Sequence, residues 1–91
     1  MTILAQCYAT AGYGTSEYNS ETHECTHDCY ASVDKILINK NYWKKKYGTS
    51  MSKKLNKDFG LGYNFKTFKI TVFEDGTYST TEEKRSDIFK K

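Results

Sequence analysis

Apolar residues alternate at the start of the chain: Ile3, Ala5, Cys7 and Ala9 fall in one phase, Leu4 and Tyr8 in the other. That two-residue period predicts a strand over residues 2–10, and apolar side chains in both phases place it inside a sheet. Residues 12–19 are rich in Gly, Ser, Thr and Asn and read as a loop. The period then changes. Cys29/Tyr30, Val33, Ile36/Leu37, Trp43 and Tyr47 recur at steps of three and four, with one double step of seven from Ile36 to Trp43, which predicts a helix over residues 26–47 stopped by Gly48. A second helix follows, capped by Thr49 or Ser50, with Met51, Leu55 and Phe59 on one face and Gly60 as its stop.

Residues 63–73 read as a strand, Asp75-Gly76 as a hairpin turn and residues 77–81 as the returning strand, which pairs Phe73 with Tyr78. Tyr63 and Phe65 lie out of phase with Phe68, Ile70 and Val72, so either both faces are covered or a bulge interrupts Lys66-Thr67. A short helix capped by Thr81, with Ile88 and Phe89 as its anchors, is the reading for residues 81–89. The expected architecture is α+β: one domain over residues 1–91, a small three-stranded antiparallel sheet made of the N-terminal strand plus the C-terminal hairpin, and two helices packed on one face.

Composition changes this picture in one respect. Leu, Ile, Val and Phe supply only 16 of 91 residues, low enough for disorder were net charge high or aromatic residues scarce. Neither holds, because the net charge is +3 and eight Tyr and one Trp join the five Phe. Large rings with polar handles therefore supply much of the core. Thirteen lysines against a single arginine, with no proline, fit coding in an AT-rich genome. The N-terminal residues lack the basic start and long apolar run of a signal peptide, and no stretch approaches the roughly 18 apolar residues of a membrane span. The expected location is cytoplasmic, which an odd count of three cysteines also fits.

Charge is partitioned along the chain. Residues 1–34 hold five acids and no Lys or Arg, whereas residues 35–69 hold ten lysines against Asp58 alone. Within the basic third, Lys40, Tyr42, Lys44, Lys45, Lys46, Lys53, Lys54 and Lys57 form the candidate partner-binding set. Lysines neutralise phosphates or carboxylates without reading sequence, and an exposed ring among them can stack on a base. Part of the split is local, since Lys44, Lys45 and Lys46 in a last helical turn complement the macrodipole. With Arg85 the sole arginine, bidentate base readout is nearly absent.

His23, Cys25, His27 and Cys29 alternate over seven residues and include every residue type of a zinc site, with Cys7 as a further thiol. Their spacing argues against it: on a helix the two pairs face opposite sides, and on a regular strand the four spread too far for one tetrahedral ion. Neither a metal nor another cofactor is expected. A nucleophile with an oriented base is not specified by sequence adjacency, and Gly12-Tyr-Gly14 lacks the Lys-Ser/Thr of a phosphate loop. The expectation is a small non-enzymatic protein that occupies a surface of a larger macromolecule. An acidic protein surface or complex is the favoured partner. Size and composition point to the kind of inhibitor that phages and mobile elements direct at nucleic-acid-handling defence complexes. The alternatives are a nonspecific nucleic-acid-binding domain using the same lysines and a zinc-stabilised interaction module.

Overall fold

The computed structural model describes residues 2–61, 65–84 and 86, with the backbone alone for 13–18 and 24–29. Strand β1 (Ile3–Asn19) is followed by β2 (Glu24–Ile38), helix α1 (Lys40–Tyr47), a 3-10 turn (Gly48–Ser50), helix α2 (Met51–Phe59), β3 (Lys66–Phe73) and β4 (Tyr78–Glu83). All pairings are antiparallel in the order β2-β1-β3-β4. The class is α+β as expected, but the sheet has four strands, not three. The helical part is one 20-residue unit, two arms joined through the 3-10 turn, instead of two separate helices.

The extra strand lies where a helix was expected. Residues 24–38 pair with β1, and the helix begins only at Lys40. The cause is visible in the register. Cys7 faces Ile36 while Gln6 faces Ile38, and Ala9 faces Val33 while Tyr8 faces Lys35, so Leu37 and Asp34 are extra residues bulged out of β2. Each bulge resets the alternation, and the one at Asp34 spaces the core-side residues Ala31, Val33 and Ile36 by two and then three, which imitates a helical stripe. Residues 12–19, expected as a loop, continue β1, and the loop between the strands is only residues 20–23. The Asn19 side chain closes that loop by accepting from the Glu21 amide at 3.0 Å, and the Asn19 carbonyl accepts from the His23 amide at 2.8 Å.

Beyond Ala11, opposite Lys66, the described β1–β3 ladder ends while β1 and β2 pair on to Asn19 and Glu24. Among the described residues this end of the hairpin is paired only within itself, in a molecule measuring 51 × 30 × 20 Å. The core lies on the other part of the sheet. Ala5, Cys7, Ala9 and Ala11 of β1 and Ala31 of β2 are wholly buried, and such small side chains leave room for Trp43, Tyr47 and Leu55 from the helical unit. Trp43 stacks on Tyr47 with centroids 5.8 Å apart. Ile70 and Val72 of β3 complete the cluster.

The helix boundaries follow local chemistry. Asn39 caps α1, its side chain accepting from the Tyr42 amide at 3.1 Å. Gly48 and Gly60 end the two arms at φ 61° and 56°, a backbone region that glycine enters without strain, as expected for both. Ser50 stands at the start of α2 without a side-chain capping bond.

At the C-terminal hairpin the register differs by one from expectation: Val72, not Phe73, faces Tyr78. The loop is the three residues Glu74-Asp75-Gly76, closed by the Phe73 amide donating to the Thr77 carbonyl at 2.9 Å. Gly76 takes φ 91°, the positive value this loop requires. The Asp75 carboxylate accepts from the Thr77 amide at 3.0 Å and from its hydroxyl at 2.6 Å, which holds it below its ordinary pKa. No bulge occurs at Lys66-Thr67. Residues 81–83, expected to begin a helix, belong to β4, and Tyr63, Ile88 and Phe89 lie outside the described residues.

Candidate functional site

The lysine set sits on the helical unit. Trp43 and Tyr47 turn one side of α1 into the core, so Lys44, Lys45 and Lys46 fan around its remaining circumference. On α2, Leu55 is buried with Met51 and Phe59 partly buried beside it, which leaves Lys53, Lys54 and Lys57 outward. These six and Lys40 are all exposed, and Tyr42 is half-buried. Within residues 40–59 the one acid is Asp58.

One of these lysines is held in place. The Lys46 ammonium donates to the Tyr42 hydroxyl at 3.2 Å and lies 5.6 Å and 5.4 Å from the ring centroids of Tyr42 and Tyr47, a cation–π arrangement. Tyr47 itself is sealed in. Burial first, then the neighbouring Asp58 carboxylate, raise its pKa, and its hydroxyl forms no well-aligned hydrogen bond among the described residues. The Trp43 indole N–H is likewise buried without a described acceptor.

The sheet face away from the helices is a second surface, one that the sequence reading missed. Part of it is exposed, with Phe65 and Tyr30 among the exposed large hydrophobics, while Thr67 and Thr71 are buried. Tyr8 of β1 has Lys35 opposite on β2 and Lys69 opposite on β3, giving a Lys-Tyr-Lys row across three strands. The next row is hydroxylic: Thr10 donates to Asp34 and lies 2.9 Å from the Thr67 hydroxyl, while Gln6 donates to Thr71 at 2.9 Å. Beyond it Gly12 pairs with Tyr30 and carries the ring of Phe65, which is 78% exposed. A Cβ at Gly12 would lie 2.6 Å from that ring, so glycine is what admits it. The signal available in the sequence was the aromatic and lysine content of residues 8, 30, 35, 65 and 69; assigning residue 30 to 38 to a helix dispersed it.

His23, at φ 59°, ends the hairpin loop with its side chain exposed. Cys25, His27 and Cys29 occupy alternate positions of β2, opposite Tyr18, Ser16 and Tyr13, and their side chains lie outside the described ones. Among the described residues no group of three metal-ligating side chains converges. Cys7 is buried in the core, where burial first and the Asp34 charge second push its thiol up to about 12. That suppresses thiolate and, with it, nucleophilic chemistry at this residue. No described helix is long and apolar enough to cross a membrane. Comparison with protein-family models, with curated proteins and with solved structures found no match for this chain.

Proposed function

We propose that this chain is a small non-enzymatic binding protein that uses the lysine-covered side of its helical unit to occupy an acidic surface of a larger protein or protein complex. The observation that carries the reading is the exposure of all seven lysines from Lys40 to Lys57 on one packed helical unit whose own residues include a single acid, Asp58. Such a field steers an acidic partner and fixes its orientation. Inhibition of a nucleic-acid-handling complex is the finer form of this proposal, resting on size and composition alone.

A second reading, direct binding of nucleic acid, is favoured by the sheet face away from the helices, where Tyr8 between Lys35 and Lys69 and the exposed Phe65 provide rings beside positive charge. One variant and one titration separate the two. Lys45, Lys53 and Lys54 changed together to Glu reverse the field at exposed positions; two of them lie in the first turn of α2, where carboxylates suit the dipole, so the fold is retained. Loss of a partner captured from a native lysate, with negligible nucleic-acid affinity of the parent chain at physiological salt, supports the protein-surface reading. A parent chain whose affinity for short oligonucleotides falls with a log–log salt slope of about −3 to −5, the value for roughly four to six phosphates, supports the second.

A further inference from the structure

The lysine face borders a pocket. Where α1 passes the loop between β3 and β4, Tyr42, Lys46, Phe59, Val72, Glu74 and Tyr78 line an open-sided cavity of ≈ 130 Å³. Its aromatic wall is built: Phe59 meets Tyr78 edge to face with centroids 4.6 Å apart, and Tyr47 backs Phe59 at 6.5 Å. Tyr78 is 52% exposed despite this contact, so part of the wall is free for a ligand. Lys46 lines the same pocket and is fixed by the Tyr42 hydroxyl and two ring faces, so little side-chain freedom is left to lose on binding.

Size and charge together limit what fits. An apolar cavity of about 150 Å³ accepts one benzene ring, so this slightly smaller, open-sided one accepts a single side chain of the leucine, methionine or phenylalanine class. The ammonium of Lys46 beside it selects a carboxylate next to that side chain. Glu74, lining the same cavity, repels a second one. Interfaces concentrate their affinity in an apolar anchor seated in a pocket, with charges at the rim fixing orientation. Two residues of the lysine face, Tyr42 and Lys46, are shared with this pocket.

We propose that the Tyr42–Phe59–Tyr78 pocket is the anchor subsite of the partner-binding face and takes one apolar side chain flanked by an acidic residue in an acidic peptide segment of the partner. This rests on the reading that the lysines bind an acidic protein surface, and the test separates the two.

The isotopically labelled chain is titrated by nuclear magnetic resonance with two synthetic peptides, Asp-Glu-Asp-Phe-Glu-Asp-Glu and its Phe-to-Ala counterpart. The phenylalanine peptide is expected to bind at least about tenfold more tightly and to shift the amides of Phe59, Gly76 and Tyr78. Glu74→Gln, an exposed substitution that leaves the wall intact, is expected to tighten it two- to fivefold. Lys46→Met, which keeps the apolar stem, is expected to weaken it by a similar factor. Equal affinity of the two peptides, with shifts confined to the lysine-bearing turns, overturns the anchor subsite and leaves the acidic-surface reading standing. Binding of neither peptide overturns both. A Glu74→Gln variant with unchanged affinity also counts against the subsite, because its charge would then not face the ligand.

Discussion

Alkaline pH discriminates sharply between the buried thiol of Cys7 and the rest of the fold. In the folded chain Cys7 has its pKa raised from 9.0 to about 12, and Tyr47 is raised in the same direction from 10.0. Both are neutral in the fold and ionise first in the unfolded chain. Their effect on stability is therefore nil below about pH 9 and grows against the fold as pH rises toward the folded values. Each pH unit above a group's unfolded pKa costs about 1.4 kcal/mol. At pH 11 Cys7 accounts for about 3 kcal/mol and Tyr47 for about 1 kcal/mol, against a total of roughly 5 to 14 kcal/mol for a domain of this length. Cys7→Ala removes the larger contribution at the cost of a small cavity worth about 1 kcal/mol. The two stability curves, measured by urea unfolding under reductant at pH 8, 9.5 and 11, should cross near pH 10, with the variant the more stable above it. Lysine deprotonation acts on both proteins equally, and Tyr47, whose pKa Cys7 raises only as the last of several causes, alters the difference little. Parallel curves from pH 8 to 11 would refute the reasoning, since Cys7 would then titrate alike in both states.

Two further expectations concern packing and the turn. Leu55 is the fully buried side chain by which α2 is fastened, so Leu55→Ala should cost about 2 to 5 kcal/mol and lower the thermal midpoint by at least about 8 °C for a domain of this size; a drop under 3 °C would mean that α2 is not seated as described. Gly76→Val should cost about 1 kcal/mol or more, because a β-branched residue resists φ 91°. An unchanged midpoint for that variant would remove the positive-φ loop from the description.

The parts of the fold that could be read from the sequence are those where one local signal acts alone. Gly48 and Gly60 stop the helical arms because only their backbone conformation is at issue, and Asp75-Gly76 marks a loop by the same logic. The helical lysine set was legible because Trp43, Tyr47 and Leu55 fix which side is turned inward. The long first hairpin was not. Its β2 strand carries two bulges, at Asp34 and Leu37, and each breaks the two-residue period on which strand recognition rests. Once those residues are assigned to a helix, Lys35 and Tyr30 leave the sheet and the row around Tyr8 cannot form. The anchor pocket was hidden for a different reason: Tyr42, Val72 and Tyr78 are brought together by tertiary packing, and nothing in their spacing announces it.

The strand order has a consequence for how the chain is made. β1 lies in the centre of the sheet, with β2 following it directly but its other neighbour, β3, ending only at Phe73. At synthesis rates of about 5–20 residues per second, the 35 residues separating Ile38 from Phe73 take roughly 2 to 7 s to appear. During that interval the hairpin has an unsatisfied inner edge bearing Ala5, Cys7 and Ala9, the very residues later sealed beneath the helices. Helix formation is far faster than this delay, so the helical unit can cover the alanine stripe before its partner strand exists. The nascent molecule then waits as a half-sheet under its own helices, its remaining edge open to a chaperone or to another copy until β3 arrives.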